Sequence, residues 1–367
     1  MKKIAKYLSL ILVVLSMFTV FAVQGFAEET EEQSVAIDKL GTFYYTVENN
    51  EITITRFVAY FTVANATIEI PETYEGATVT KIGDKAFYNS KWDVKKVVLP
   101  DTITYVGDYA FYDTDIEVNV PAYLEYAGQR SFGYTKLTTT KLPNTLTTIG
   151  ACAFSDCDSI VDVNFSPSLK KVGNDAFSDC DGITEIVFPD GIEYIGAFEN
   201  CSSLTSITIP DMKNGTISGS FGDCKALKNV TIGNLDNTVV GRYTFSGCTS
   251  LENFHFANVE DSELCEYFFK GCTSLKTVPF NEIDNCTLGE NFFADCTALE
   301  SVSFGDVGSF TIPSNMFKNC TSLKSVKRIV LQYPITHSKV VPRLLISTTQ
   351  ALKMLQLVLM RLTDAHL

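Results

Sequence analysis

The chain has 367 residues, of which 46% are hydrophobic, and its formal net charge at pH 7 is −14. This acidic balance argues against partners such as nucleic acids or anionic membranes, because binding to either requires basic patches that displace counterions. The three histidines offer few candidates for histidine-based catalysis. The eleven cysteines are numerous enough to form several disulfides.

The first 27 residues have the features of a signal peptide. Lysines at positions 2, 3 and 6 precede an apolar run over residues 8–23, and small residues stand before a cleavage point after Ala27. An uncleaved anchor helix is the alternative, but the run is short for a stable membrane span. We expect residues 1–27 to be removed on export, residues 28–41 to form an acidic linker, and no integral membrane span to remain.

Residues 42–80 predict an N-terminal β cap. The stretches Phe43–Val47 and Ile52–Phe57 flank the turn pair Asn49-Asn50, which is typical of a β-hairpin. A third strand is predicted at Ala66–Ile70. Because the first unit of a stacked repeat has no preceding neighbour, an atypical terminal unit that covers it is expected.

Residues 81–326 contain about eleven copies of one repeat, marked by a recurring phenylalanine. In the later copies the phenylalanine, a cysteine and a leucine all recur every 24 residues, and in the earlier copies the step is 21 to 24. The repeated residues are Phe87, Phe111, Phe132, Phe154, Phe177, Phe198, Phe221, Phe245, Phe269, Phe293 and Phe317. A fixed period of this size indicates a solenoid, in which each copy buries its apolar face against its neighbours.

Each copy combines a tight turn with a strand whose residues alternate apolar and exposed. Stacked copies therefore predict one parallel sheet face with a single buried column. The predicted column consists of Val163, Ile186, Ile207, Val230, Phe254, Val278 and Val302.

Eight cysteines occupy one repeat position beside the inward phenylalanine and leucine. They are Cys157, Cys180, Cys201, Cys224, Cys248, Cys272, Cys296 and Cys320, and we call them the ladder cysteines. A cysteine at such a position behaves as a small buried hydrophobic residue, so we expect free thiols. Disulfides between neighbouring copies are the alternative, because stacked copies come within bridging distance.

The repeat resembles that of a known family. Its pattern is Ile-Gly-x-x-Ala-Phe-x-x-Cys-x-x-Leu-x-x-Val-x-Phe/Ile-Pro, as in the copy from Ile149 through Phe154 to Phe165. This pattern is similar to the leucine-rich repeat of the BspA-like surface proteins of bacteria and some protozoan parasites, and the resemblance covers residues 42–326. It implies a leucine-rich repeat solenoid. Members of that family are secreted or surface-displayed recognition proteins that bind varied targets, so the resemblance implies no particular ligand.

The search for catalytic or metal-binding residues yields only weak candidates. Asp156 and Asp158 lie one copy before Asp179 and Asp181, and such carboxylate pairs could attract Ca²⁺, although solvated turn aspartates are the simpler interpretation. No phosphate-binding loop, nucleophile elbow or Cys-x-x-Cys pair is found. We therefore assign no catalytic, cofactor-binding or metal-binding residues and expect no cofactor.

The preferred hypothesis is a non-enzymatic recognition protein, secreted or held at a bacterial cell surface, that binds a host or neighbouring-cell protein or glycan. The exposed strand positions that would form the binding face are Asn164, Thr208, Thr231, His255 and Ser303. One alternative is an exported hydrolase that uses the solenoid as a substrate cradle, with Asp162 and Glu185 as its acids. Another is a truncated gene product without a function of its own.

Residues 327–367 depart from the repeat. Arg328 stands where an apolar strand residue is expected, and Val341 stands where the next phenylalanine is due. The charge also reverses, because residues 28–326 carry 20 basic and 42 acidic residues (20 − 42 = −22) and the tail carries six basic and one acidic (6 − 1 = +5). This predicts a frameshifted continuation of the repeats, or else a helical cap over residues 351–360.

Overall fold

The computed structural model describes residues 31–37, 40–60, 66–88, 94–112, 114, 116–307 and 313–329. These residues form a parallel β-solenoid of about eleven turns without a helix, which confirms the expected fold class. The expected signal peptide, residues 1–27, lies outside the described residues, and so do residues 330–367 of the tail.

The N-terminal part is an antiparallel unit that leads into the first turns. Strands Gly41–Glu48 and Glu51–Ala59 form the predicted hairpin, and Asn49 and Asn50 both hold a left-handed backbone (φ 51° and 66°) as a two-residue hairpin turn requires. A further strand, Gln33–Ile37, lies within the stretch expected to be a linker and pairs with Gly41–Glu48. The second hairpin strand then pairs in parallel with Ala77–Ile82, so the cap and the repeats share one sheet.

This long sheet has 14 strands and follows one face of the solenoid. Beyond the hairpin, most of its strands are the two residues that precede the repeat glycine. In sheet order the strands are Gln33–Ile37, Gly41–Glu48, Glu51–Ala59, Ala77–Ile82, Tyr105–Val106, Tyr126–Ala127, Thr148–Ile149, Lys171–Val172, Tyr194–Ile195, Thr216–Ile217, Val239–Val240, Glu263–Leu264 and Thr287–Leu288, with Thr73–Tyr74 paired to Ala77–Ile82.

Glycine makes this close stacking possible. A Cβ atom added to Gly150 would lie 2.5 Å from the backbone nitrogen of Gln129, and one added to Gly173 would lie 2.5 Å from that of Ala151. Neighbouring turns therefore approach backbone to backbone at these positions, where any larger residue would push them apart.

The face predicted to carry one continuous sheet is divided into three. The first sheet contains Ala66–Glu69, Val94–Val98, Glu117–Val118 and Lys136–Leu137; the second contains Glu185–Val187, Ser206–Ile209, Asn229–Ile232 and Asn253–Phe256. The third contains Met212–Lys213, Leu235–Asp236, Asn258–Glu260, Glu282–Asp284, Ser301–Val307, Thr277–Pro279 and Ser325–Ile329. Of these, Thr277–Pro279, the first residues of Ser301–Val307 and Ser325–Ile329 continue this face, whereas the other four strands stack on the next side of each turn. The expectation of one continuous sheet on this face was wrong. Proline explains one break, because Pro279, one repeat after His255, has no N–H group to donate to a ladder.

The core is a continuous stack of the repeat phenylalanines. Phe132 and Phe154, for example, have ring centroids 5.4 Å apart with planes 6° from parallel, and both side chains are fully buried. The predicted apolar column is buried at six of its seven positions, as expected. The exception is Val163, which is only half-buried because its turn forms no strand there beyond an isolated bridge from Lys141 to Asp162.

All eleven cysteines are free thiols, as predicted for the ladder cysteines. Seven of the eight ladder cysteines are buried, and Cys320 is half-buried. Each ladder Sγ atom lies 2.9–3.4 Å from the backbone carbonyl oxygen of the phenylalanine on the preceding turn. The position thus requires a small group that can donate to a carbonyl, and no disulfide is formed.

Candidate recognition surfaces

The predicted binding face is only partly assembled. Thr208, Thr231 and His255 are exposed and stand side by side in register on adjacent strands. Ser303 is half-buried and pairs with Pro279 in another sheet, and Asn164 is exposed but belongs to no strand. The structure therefore brings three of the five predicted residues together.

A shallow groove lies beside His255, where the second sheet ends. It has a volume of about 330 Å³ and is lined mainly by polar side chains, among them Asn229, Glu252 and Asn253. Asn253 Nδ2 donates to Asn229 Oδ1 at 2.8 Å, so two of these side chains are held by each other. The face is regular and polar, and this amide pair is a fixed part of it.

Three of the acidic residues considered for catalysis or Ca²⁺ binding, Asp158, Asp162 and Asp181, have partners within the protein. Asp162 forms an ion pair with Lys141 at 3.0 Å. Asp158 Oδ1 accepts a hydrogen bond from the backbone N–H of Asp181 at 2.8 Å, and Asp181 Oδ1 accepts one from that of Ser202 at 2.9 Å. The Ser202 hydrogen bonds lower the pKa of Asp181. Within the described residues, no group of three or more His, Cys, Asp or Glu side chains is placed to hold a metal ion.

A different surface, which the sequence analysis missed, lies on the turns of the first repeats. We call it the tyrosine–arginine surface; it consists of Tyr88, Tyr109, Tyr112, Tyr134 and Arg130. The Tyr112 ring lies 6.2 Å from Tyr88, 5.6 Å from Tyr109 and 5.9 Å from Tyr134, measured between centroids. Tyr88 and Tyr134 are 45% and 52% exposed. Four aromatic rings from successive turns thus form one exposed patch.

Arg130 lies among these rings. Its Cζ atom is 5.7 Å from the ring centroid of Tyr109 and 5.3 Å from that of Tyr112, within the range of cation–π attraction. A hydrogen bond with Cys152 raises the pKa of the Arg130 guanidinium, which therefore stays charged. These contacts hold the rings and the charge in one arrangement before any partner arrives.

Three residues of this surface lie in the left-handed turns of the repeat. Tyr109, Arg130 and Tyr134 all have a left-handed conformation, with φ of 57°, 51° and 60°. Tyr109 and Arg130 lie two residues before the repeat phenylalanine, where other copies also hold bulky left-handed residues such as Tyr243. Tyr134 lies two residues after it, where the later copies hold Asp, Asn or Gly, for example Gly247, which tolerate this conformation far better. Bulky residues in left-handed turns cost roughly 1–2 kcal/mol each and are concentrated at functional sites. The departure of Tyr134 from the consensus at its position was the signal available in the sequence.

The described residues define a parallel β-solenoid repeat protein with exposed surfaces on a packed core. The chain belongs to the BspA-type leucine-rich repeat family: the model described as "BspA type Leucine rich repeat region (6 copies)" matches residues 80–197, 125–252, 170–280 and 238–332. The resemblance seen in the repeat pattern is therefore confirmed. None of the described residues forms a helix that could cross a membrane.

Several solved structures are similar to this chain. A leucine-rich repeat protein from Bacteroides ovatus is 21% identical, with 78% of this chain and 92% of that chain covered and a TM-score of 0.42. A leucine-rich cell surface protein from Faecalibacterium prausnitzii is also 21% identical, covering 82% and 96% at a TM-score of 0.41. The pneumococcal vaccine antigen PcpA is 16% identical, covering 83% and 89% at a TM-score of 0.47. A search of curated proteins gives no significant match.

Proposed function

We propose that this chain is a non-enzymatic recognition protein, secreted or displayed on a bacterial surface, that binds a partner protein through the tyrosine–arginine surface. The observation that carries the proposal is the packing of four tyrosine rings from three turns around the Arg130 guanidinium, with Tyr88 and Tyr134 exposed. At the position of Tyr134 a turn that only reversed the chain would use Asp, Asn or Gly, as the later copies do. Side chains kept at the expense of backbone strain favour a role in binding.

The composition of the patch suits a protein partner. Tyrosine and arginine are the residue types most enriched among binding hot spots, because they bury a large area with few rotatable bonds and keep a polar end. The stacked rings are already ordered, so binding would immobilise little additional side-chain freedom. Lys85, whose Nζ atom lies 5.9 Å from the Tyr109 ring centroid, adds a second cation beside Arg130 on an otherwise acidic chain. This favours an acidic or carbonyl-rich partner segment.

Export is supported by the signal-like residues 1–27 and by the family. The strand face around Thr208, Thr231 and His255 remains a second candidate surface, since its residues are exposed and aligned. We propose no hydrolase activity, because Asp162 is engaged by Lys141.

The test is a binding screen of residues 28–326 against purified host matrix proteins and proteins from neighbouring bacteria. For any protein bound, Tyr88→Ala and Tyr134→Ala should each weaken binding by about tenfold or more, as expected for a hot spot. Tyr243→Ala is the matched control, because Tyr243 is 46% exposed and has a left-handed turn backbone on a later repeat.

The outcome separates the two surfaces. If Tyr88→Ala and Tyr134→Ala bind like the parent while His255→Ala loses affinity, the strand face is the site and the tyrosine–arginine surface is not. Hydrolysis of any bound protein or glycan by the purified chain would overturn the non-enzymatic assignment.

A further inference from the structure

The outward side chains of the long sheet form a column in which each residue sits directly beside the next. Tyr105, Tyr126, Thr148, Lys171 and Tyr194 are consecutive members, paired in register. The residues that follow them in their strands, such as Ala127 and Ile149, are fully buried, so the column itself faces outward. Parallel strands are ~4.8 Å apart, which is also a good separation for stacked flat rings.

The rings of Tyr105 and Tyr126 are stacked at about this spacing. Their ring centroids are 4.5 Å apart and their planes differ by 4°. Only one face of the Tyr126 ring is covered in this way. The other face is directed towards Thr148, whose side chain is too short to reach across a tyrosine ring.

A groove of about 300 Å³ opens at this point. At its far end Tyr194 is covered by Lys171, whose Nζ atom lies 5.1 Å from the ring centroid. The groove thus has one wall formed by the flat face of the Tyr126 ring that no neighbouring ring covers, and a floor of Thr148 and Gly150. Its volume is at the lower end of the range for small-ligand sites.

The rim of the groove is polar and mainly neutral or acidic. Asp108, Gln129 and Asn174 line it, and Tyr194 Oη donates to Asn174 Oδ1. Asp108 Oδ1 already accepts a hydrogen bond from the backbone N–H of Gln129 at 2.7 Å, which fixes the carboxylate in place. Burial raises the pKa of Tyr126, with the Asp108 carboxylate adding to the effect, so its hydroxyl stays protonated. Carboxylate, amide and hydroxyl groups together offer both donors and acceptors.

We propose that this groove, which we call the Tyr126 groove, binds one pyranose ring of a neutral glycan stacked on Tyr126. The C–H face of a sugar ring carries slight positive charge and matches the negative face of the tyrosine ring. Sugar hydroxyls project from the ring edge, where Asp108, Gln129 and Asn174 are placed to pair with them. An aromatic side chain would stack equally well but leave this rim unpaired, and a nucleotide would bring phosphate charge close to the Asp108 carboxylate.

The site is distinct from the tyrosine–arginine surface and does not depend on it for its chemistry. Both sites lie on the early turns: Asp108 and Gln129 precede Tyr109 and Arg130 in the chain. One partner could therefore contact both sites, but binding at each site can be tested separately.

The experiment uses an array of neutral oligosaccharides built from glucose, galactose, mannose and N-acetylglucosamine, followed by calorimetry on each hit. Thr148→Tyr should abolish binding or weaken it by at least about tenfold, because the new ring continues the native stack and occupies the place of the sugar. Tyr126→Ala should have an effect of the same size. Thr287→Tyr is the matched control, since it puts the same side chain at an exposed position of the same column, well away from the groove.

Thr148→Ser and Thr287→Tyr should stay within about twofold of the parent affinity. The proposal is overturned if no neutral oligosaccharide binds at about 10 mM, a weak-binding limit, or if Thr148→Tyr binds like the parent. Binding of anionic glycans or aromatic peptides alone would also overturn it. Thr148→Tyr should leave protein binding at Tyr88 and Tyr134 unchanged, so failure of one proposal does not imply failure of the other.

Discussion

The Sγ atom of Cys248 donates a hydrogen bond to the backbone carbonyl oxygen of Phe221, 3.1 Å away on the preceding turn of the solenoid. In the earliest copies, Ser90, Thr114 and Thr135 stand at this position. Thr114 and Thr135 donate to the carbonyl of the phenylalanine in their own turn, at 2.7 and 2.6 Å. The repeat position therefore selects a small side chain with a donor, which explains a row of cysteines that form no disulfides.

Removing this donor should destabilise the solenoid. Cys248→Ala leaves the Phe221 carbonyl unpaired and creates a small cavity, so we expect the free energy of unfolding to fall by about 1–2 kcal/mol. Cys265→Ala is the control, because Cys265 is half-buried and lies outside the ladder. Urea unfolding followed by circular dichroism measures both. Equal midpoints for Cys248→Ala and the parent would rule out a structural role for the hydrogen bond.

The ladder thiols should be protected in the native protein. A thiol-specific reagent should label the seven buried ladder cysteines negligibly, and should reach all eight after denaturation without a reductant. Cys152 and Cys265, which are half-buried, should react first. A non-reducing digest that contains peptides joined across neighbouring turns would show disulfides instead.

Alkaline pH should weaken the fold through the same thiols. Burial raises the pKa of Cys157 from 9.0 to about 12. Between these values the unfolded chain releases a proton that the folded chain keeps, so the free energy of unfolding falls as pH rises above 9 and is unaffected below it. Urea unfolding at several pH values should show this decline, and Cys157→Ala should make it less steep. A variant with the same slope as the parent would argue against a raised pKa.

A phenylalanine of the stack should contribute most to the stability of the fold where neighbouring rings cover both of its faces. The Phe269 ring lies between Phe245 and Phe293, with centroids 6.1 and 5.3 Å away, and is fully buried. Phe269→Ala should therefore lower the free energy of unfolding by roughly 3–5 kcal/mol. Phe317→Ala makes the same change at a half-buried ring and should have a smaller effect. Thermal melting compares the two, and an unchanged curve for Phe269→Ala would contradict its place in the core.

The gene sequence distinguishes the two interpretations of the tail. If residues 327–367 are a frameshifted continuation, reading the gene one nucleotide forward should restore phenylalanine at position 341, followed by the Asp-Cys of the repeat. An early stop, or no repeat in the shifted frame, would favour a helical cap over residues 351–360. Only the first three residues of the tail are among those described, and they extend the strand Ser325–Ile329, which pairs with Ser301–Val307.

The repeat was predictable because the spacing of residues along the sequence is enough to identify it. A phenylalanine every 21 to 24 residues fixes which side chains stack, and the buried rings follow directly. The division of the sheets was not predictable in this way. Strands of two residues, such as Thr148–Ile149, are too short to show a hydrophobic period of their own in the sequence.

The tyrosine–arginine surface was missed for a related reason. Tyr109 lies two residues before a repeat phenylalanine, Tyr88 one residue after, and Tyr134 two residues after. These positions differ in phase, so alignment of the copies does not group them. They meet only when successive turns are stacked in space. Val163 is the opposite case. Its position in the repeat was identified correctly from the sequence, but its turn departs locally from the backbone that the other copies share.

The pairing of each turn with the next also bears on how the chain reaches this fold. Proteins made only of β-strands usually fold slowly, because their strands pair across long stretches of sequence. Here Tyr126 pairs with Thr148 and Val240 with Leu264, and the other parallel partners in the repeats are similarly close in the chain. Such separations over a repeat region of this size give a relative contact order of about 0.1, within the range of helical bundles. The described repeat region should therefore fold faster than its content of β-strand alone suggests, adding turns to whichever part forms first.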